Sequence, residues 1–258
     1  MRRWSEKRIF AAARAWPRTP NGRARLGNIR AGFTLGLFWL AIAPAQAQVS
    51  GSVSITNDER WRGRSLSEGQ PAATAALAYD DRSGIYADAS ATGALIDNRV
   101  ELIGVAADAG YAWRLPSGTA LDVGLTRRQF TRYFSGGRST GYSEIYAGVS
   151  ARSLSARIHY SPDYFGRGTN ILYASVEGVL RPAPRWRVIG QLGALAWLDG
   201  RPVPQVRPVQ YNYSLGVARQ QGAVELRLAW TNGGPDPDYF GGRPHSKSAL
   251  VASATFGF

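Results

Sequence analysis

The sequence predicts an all-β protein: a single closed antiparallel transmembrane β-barrel of about 12 strands, of the outer-membrane type. Three observations predict it. Apolar residues alternate with small or polar ones over most of the chain, short and long connections alternate between these segments, and the last strand ends in Phe258. Alternation of this kind places one face of a strand against lipid and the other toward a polar interior.

The first segment, residues 1–47, predicts a signal peptide with a long basic n-region, followed by a barrel domain at 48–258. Nine Lys or Arg residues lie in this segment, and its apolar run at 31–43 is shorter than the roughly 20 residues of a spanning helix. Ala45 and Ala47 provide the small side chains expected before cleavage at Gln48. The whole chain has a net charge of +13, of which this leader carries +8. The rest of the chain therefore has a net charge of only +5, so nucleic acid is not an expected partner.

The composition of the remaining chain argues against several other classes of protein. It has no Cys, which excludes disulfides and thiolate metal sites, and two His residues are too few for a His-rich metal centre. No cofactor is therefore expected. No long apolar run remains after the leader, which argues against a helical inner-membrane protein.

Twelve segments show the period-2 pattern of strands. It is clearest at 224–230, where Glu225 and Arg227 oppose the apolar face, and at the end of the chain, where Phe256 and Phe258 face lipid. In 103–115, Ile103 is assigned to the lipid face. The other segments are 50–57, 72–79, 85–92, 120–126, 143–150, 154–160, 171–180, 186–198 and 209–217.

The connections between these segments alternate in length. Tight turns rich in Pro, Gly and Ser are predicted at 81–83, 116–118, 152–153, 182–184 and 220–222. Long polar connections are predicted at 58–70, 93–99, 133–141, 162–169, 199–208 and 232–246. Periplasmic turns and extracellular loops of an outer-membrane barrel alternate in this way, whereas a soluble Greek-key sandwich has no reason to do so.

The stretch 57–72 contains an aromatic-Arg-Gly-x-Ser-x-Ser pattern at 61–67, and it resembles the opening signature of an uncharacterised proteobacterial family labelled Gcw_chp. Segments 83–88, 142–148 and 160–166 resemble its later blocks, in the same order. The resemblance implies an exported barrel-like protein of about this length with no established activity. The chain departs from the family pattern at Glu59, where an aromatic residue is usual, and at His159, which argues against a family-wide catalytic role there.

Charged residues on the predicted interior face suggest a polar lumen. Acidic residues fall mainly on the first half of the barrel and basic residues mainly on the second, so opposed walls and a transverse field are expected. The expected function is a narrow, passive, porin-like channel for small polar solutes; the alternative is a non-conducting structural or binding barrel in which these charges pair. The lumen candidates are Asp88, Asp108, Asp122, Glu144, Arg157, Arg187, Glu225 and Arg227.

One group of residues offers a catalytic function as a distant alternative. His159 and Ser161 share a face of one strand and resemble the His-x-Ser of outer-membrane lipid A deacylases, with Glu177 as an orienting acid. That face is the interior one, away from acyl chains, and Ser161 lies beside Pro162. An acyl hydrolase, or any enzyme, is therefore not the expected function.

The outer loops and the C-terminus suggest partners in the outer membrane of a Gram-negative cell. Phe256 and Phe258 are expected to be read by the barrel-assembly machinery. Arginines in outer loops match the phosphates of lipopolysaccharide, with solvated loop charge as the alternative. The segment 162–166 recurs at 237–241, giving aromatic pairs that either anchor the rim in lipid or grip a ligand. These outer-loop candidates are Arg60, Arg62, Arg64, Tyr164, Phe165, Tyr239 and Phe240.

Overall fold

The computed structural model describes residues 47–131, 140–166, 168–199, 207–233 and 248–258. Its strands are β1 (Ala47–Thr56), β2 (Arg60–Trp61), β3 (Arg64–Ser65), β4 (Ala72–Asp81), β5 (Ile85–Ile96), β6 (Arg99–Arg114), β7 (Ala120–Phe130), β8 (Thr140–Ser150), β9 (Leu154–Ser161), β10 (Ile171–Leu180), β11 (Trp186–Trp197), β12 (Val209–Gln221), β13 (Val224–Gly233) and β14 (Ser248–Gly257). All except β2 and β3 form one closed antiparallel barrel, which confirms the predicted fold class. Within the described ranges, no helix is long and apolar enough to cross a membrane.

The barrel has two different ends. At the turn end, tight turns join β4 to β5, β6 to β7, β8 to β9, β10 to β11 and β12 to β13. Ala47 and Phe258 lie at this end as well, since Ala47 is opposite Asp81 and Phe258 is opposite Gly51. The opposite end, called the loop end, carries the longer connections. The predicted tight turns are therefore confirmed, as is the long connection at 58–70. The long connections predicted at 133–141, 199–208 and 232–246 lie mostly outside the described residues.

Period-2 alternation gives each strand an apolar outer face. On β13, Leu226, Leu228 and Trp230 are exposed on the outside, whereas Glu225 is buried inside. Aromatic side chains are exposed near both ends, as interfacial girdles require: Tyr79, Trp113, Trp186 and Phe258 at the turn end, and Tyr211, Tyr213 and Trp230 toward the loop end. A wall of exposed Leu, Ile and Val between two girdles is suited to lipid.

One predicted loop is wrong. The connection expected at 93–99 is a two-residue turn, Asp97 and Asn98, because β5 extends to Ile96 and β6 begins at Arg99. Both turn residues have positive φ, 50° and 60°, which is the backbone of a type I′ hairpin and is tolerated by Asp and Asn. The loop end thus carries one tight turn among its longer connections.

One predicted side-chain direction is also wrong. Ile103 points into the barrel and is only 3% exposed, although the alternation predicts that it faces lipid with Val105. The register between β5 and β6 shifts at Thr92 and Gly93, where Ile103 is the extra residue of a bulge. A bulge reverses the alternation on one side of it, so Leu102 and Val105 both face outward.

The seam between β14 and β1 closes the barrel. Phe258 and Gly51 exchange two backbone hydrogen bonds, of 2.9 and 3.0 Å, beyond the last residue of β14. The Phe258 ring lies over Gly51, where a Cβ atom would overlap ring carbons. Glycine at position 51 therefore lets the terminal aromatic ring lie flat against the seam.

Candidate functional site

The connection between β1 and β4, residues 57–71 and here called the inner loop, folds into the barrel. Its turns are organised around Asp58, which accepts hydrogen bonds from Arg60 Nε at 2.6 Å, Ser65 Oγ at 2.5 Å and Ser67 Oγ at 3.3 Å. Ser67 Oγ also accepts a hydrogen bond from the backbone N–H of residue 59. These hydrogen bonds satisfy the Asp58 carboxylate and the two serine hydroxyls, so these groups can be buried without being left unpaired.

Two interactions attach the inner loop to the interior wall. Arg62 donates two hydrogen bonds to the carboxylate of Glu144, at 2.9 and 2.7 Å, and Trp61 Nε1 donates one to Tyr142 Oη at 2.7 Å. The Arg62 guanidinium also lies 3.9 Å from the centre of the Tyr173 ring. The loop is thus held against β8 and β10 by a buried ion pair and by stacking.

Aromatic side chains fill the lumen beside the inner loop. Tyr164 and Phe165, from the connection after β9, pack on Tyr142 with ring centroids 4.5 and 4.9 Å away. The inner-loop residues Trp61 and Leu66 pack against the same cluster. The buried members are Phe130, Tyr142, Tyr164, Phe165, Ile171, Tyr173 and Leu195. The part of the lumen bounded by β7–β11 is consequently closed at this level.

The expected outer-surface position of the loop candidates is therefore wrong. The side chains of Arg62 and Arg60 are only 6% and 8% exposed, and Arg64 is buried too. The reason is that the inner loop turns inward, where Arg60 pairs with Asp58 and Arg62 pairs with Glu144. Tyr164 and Phe165 are buried in the aromatic cluster. None of these side chains is placed to bind lipopolysaccharide. Tyr239 and Phe240 lie outside the described residues.

The other part of the lumen is open. A cavity of about 1120 Å³ runs from the turn at 181–185 to the inner loop, lined chiefly by β1, β4, β5 and β12–β14. Its lining is rich in hydroxyl groups, among them Ser54, Thr74, Ser90, Ser253 and Thr255. The volume is far larger than the roughly 30 Å³ that one water molecule occupies in the liquid. The cavity is thus large enough to hold many water molecules, and hydroxyl groups of its lining can form hydrogen bonds with them.

Several predicted lumen charges form ion pairs along the wall. Arg157 on β9 contacts Asp122 on β7 at 2.6 Å. Gly148 lies between them on β8, where a Cβ atom would overlap the Asp122 carboxylate, so a glycine leaves room for the ion pair. Arg187 on β11 pairs in the same way with Glu225 on β13. These charges therefore pair two strands apart and do not face each other across the lumen as separate acidic and basic walls.

The remaining lumen candidates differ in their surroundings. Asp88 and Asp108 are directly opposite each other on β5 and β6. Asp108 is buried and accepts a hydrogen bond from Thr126, whereas Asp88 lines the cavity. Arg227 also lines the cavity and interacts electrostatically with Glu177. Acidic and basic groups both reach the cavity, so its wall has mixed charge.

The candidate catalytic residues do not form a catalytic group. His159 Nδ1 lies 3.3 Å from Glu144 Oε2, and its ring lies between those of Tyr146 and Tyr173. Ser161 is fully buried and donates its hydroxyl to the backbone carbonyl of residue 143 at 2.8 Å, so it is not paired with the imidazole. The strand partner of His159 is Tyr173, four residues away from Glu177.

Two residues at the inner loop were missed as site residues. Arg128 lies over the Trp61 ring, 3.5 Å from its centre, and Glu59 lines the cavity near Arg128. Burial raises the pKa of the Glu59 carboxyl to about 7, and the charge of Arg128 opposes the rise. Alternation on β7 could have identified Arg128, which shares its face with Asp122. No periodic signal could have identified Glu59.

The closed barrel, its apolar belt and its polar lumen define the fold class of outer-membrane barrel proteins. The chain belongs to a family described as bacterial protein of unknown function (Gcw_chp), whose profile matches residues 41–256. This confirms the resemblance found in the sequence. No curated protein matches the chain.

Solved outer-membrane barrels have a similar structure. KdgM porin aligns with a TM-score of 0.50 at 10% identity, covering 82% of this chain and 99% of its own. NanC porin aligns with a TM-score of 0.48 at 11% identity, and the alignment covers 81% of this chain and 98% of the porin. An outer membrane channel from Pseudomonas putida F1 aligns with a TM-score of 0.48 at 10% identity, and the alignment covers 84% of this chain and 96% of the channel. At these identities the likeness concerns the fold.

Proposed function

We propose that this protein is a narrow, passive channel for small polar solutes in the outer membrane. The observation that carries the proposal is the cavity of about 1120 Å³, which extends inside the barrel from the turn at 181–185 to the inner loop. Solutes would pass between the inner loop and the wall formed by β1, β4 and β5. The turn end would face the periplasm, as short turns do in barrels of this kind.

The lining supports passage of polar solutes. Hydroxyl groups such as those of Ser54, Thr74 and Ser90 can replace part of a solute's hydration, and they carry no charge that would hold the solute tightly. The inner loop and the aromatic cluster occupy the rest of the cross-section, which restricts the passage to small molecules. Catalysis is not part of the proposal, since His159 and Ser161 are engaged in packing and in a backbone hydrogen bond.

The second candidate is a non-conducting barrel with a structural or binding role. Buried ion pairs and the aromatic cluster favour it, because they show that much of the interior is packed like a core. The two functions differ in one measurable property, a current across a bilayer.

Planar-bilayer recording of the refolded protein tests the proposal. Discrete current steps are expected, and Ser54→Trp should reduce their size because the indole would enter the cavity. Val53→Trp is the matched control, since residue 53 is exposed on the lipid face next in the chain. A correctly folded protein without steps would favour the non-conducting barrel, with folding checked by the heat-dependent gel mobility of closed barrels.

A further inference from the structure

Two close ion pairs neutralise four of the charged side chains at the level of the inner loop. Asp58 pairs with Arg60 at 2.6 Å, and Arg62 pairs with Glu144 at 2.7 Å. Both pairs are buried, so each contributes little net charge to the passage. The charge at this level therefore depends on the groups that line the cavity without such a partner.

Glu59 is one of these groups. It belongs to the inner loop and lines the cavity. Its backbone is fixed on both sides, because its N–H donates to Ser67 Oγ and its carbonyl accepts a hydrogen bond from the N–H of Leu66. Among the described residues, no hydrogen bond or ion pair is formed by its carboxyl group. The carboxyl is thus held at the passage by the backbone and is open to a proton.

Arg128 is the second group, and it reaches the same level from β7. Its guanidinium is stacked on Trp61 and lines the cavity, and within the described chain its buried Nε has no hydrogen-bond acceptor. A guanidinium remains charged in proteins. Glu59 and Arg128 interact electrostatically, so protonation of Glu59 removes one of the negative charges that act on Arg128 and raises the net positive charge at this level. Asp88 and Glu144 act on Arg128 as well.

We propose that Glu59 sets the ion preference of the passage, by balancing Arg128 when its carboxyl is ionised and by exposing that positive charge when it is protonated. The inference rests on the proposed channel function and adds the residue that determines its selectivity. With Glu59 protonated the inner loop would favour anions over cations. With Glu59 ionised this preference would fall.

Other charged and titratable groups face this pair from each neighbouring element. They are Asp58 and Arg62 from the inner loop, Asp88 from β5, and Tyr142 and Glu144 from β8. Asp58 and Glu144 are held in the ion pairs described above. Burial raises the pKa of Glu59 to about 7, so its charge, and with it the ion preference, should change around neutral pH.

Reversal potentials under a salt gradient, at pH 6 and pH 8, test the inference. The wild type should lose anion preference on going to pH 8, with the permeability ratio changing by about 3-fold, as expected for one unit charge several Å from the ion in a watery passage. Glu59→Gln imitates the protonated carboxyl. It should therefore show, at both pH 6 and pH 8, the anion preference that the wild type shows at pH 6. Glu68→Gln, at an exposed position of the same loop, is the matched control and should behave as the wild type.

Arg128→Gln supplies an independent variant, because it removes the charge that Glu59 balances. It should shift the preference toward cations at both pH values. A pH shift that persists in Glu59→Gln at the wild-type size would overturn the inference while leaving the channel function intact. Absence of any wild-type current would overturn the channel function and the inference with it.

Discussion

Replacing Arg62 with alanine should release the inner loop from the barrel wall. The guanidinium makes two hydrogen bonds to Glu144, and both side chains are buried. Removing one partner of a buried ion pair costs about 3–5 kcal/mol, because the remaining charge stays buried. The hydrogen bond from Trp61 to Tyr142 contributes about 1 kcal/mol and the stacking of Arg128 on Trp61 about 0.5–2 kcal/mol. The ion pair is therefore the largest of these contributions.

The size of the effect follows from these values. Since 1.4 kcal/mol is a factor of ten, Arg62→Ala should lower the docked-to-undocked ratio of the inner loop by roughly 10²- to 4 × 10³-fold. Trp61→Phe removes one hydrogen bond and should lower it by about tenfold or less. An undocked loop vacates part of the lumen, so the current carried by Arg62→Ala should be larger or should fluctuate between levels.

Single-channel recording measures this change. Arg127→Ala is the control, because Arg127 lies on β7 beside Arg128 but is exposed on the outer face of the barrel. A steady current in Arg62→Ala, equal to that of the wild type, would refute the conclusion that the inner loop restricts the passage. The gel mobility of the folded barrel should be compared in parallel, so that an unfolded variant is recognised.

Two further predictions concern assembly and orientation. Gly51→Leu should destabilise the barrel by about 1–3 kcal/mol in a urea titration, since its side chain would overlap the Phe258 ring; Val49→Leu, nearby on the same outer face, should change little. Gln70→Cys should react with a membrane-impermeant thiol reagent on intact cells, whereas Ser117→Cys, in a tight turn, should react only after the outer membrane is opened.

Each of these has a contradicting result. Equal unfolding midpoints for the variants at Gly51 and Val49 would show that the ring contact does not stabilise the seam. Labelling of Ser117→Cys but not of Gln70→Cys on intact cells would reverse the orientation of the barrel. The chain has no cysteine of its own, so the labelling has no background from native thiols.

Much of the barrel could be predicted from the sequence, because strand alternation and turn composition are local signals. Leu226 and Glu225 lie on the faces that the period assigns to them. Ile103 does not, since a bulge adds one residue and the period restarts after it. The sequence does not predict the turn at Asp97 and Asn98, because polar residues in this segment also fit a longer loop.

The site was less predictable, because it depends on contacts between distant parts of the chain. The inner loop is polar and has no periodicity, so its sequence alone suggests an exposed loop. Its inward position depends on Glu144, which is 82 residues from Arg62, and on Tyr142, which is 81 residues from Trp61. Alternation placed Glu144 on the interior face but could not identify its partner.

The proposed function is tested most directly by whether the passage follows the cavity that reaches the inner loop. Ser90→Cys places a thiol in the cavity lining, and Ser175→Cys places one on the interior face of β10, outside the cavity. A small charged thiol reagent added during planar-bilayer recording should reduce the current of Ser90→Cys and leave that of Ser175→Cys unchanged. Block of Ser175→Cys with no effect on Ser90→Cys would contradict the proposed path.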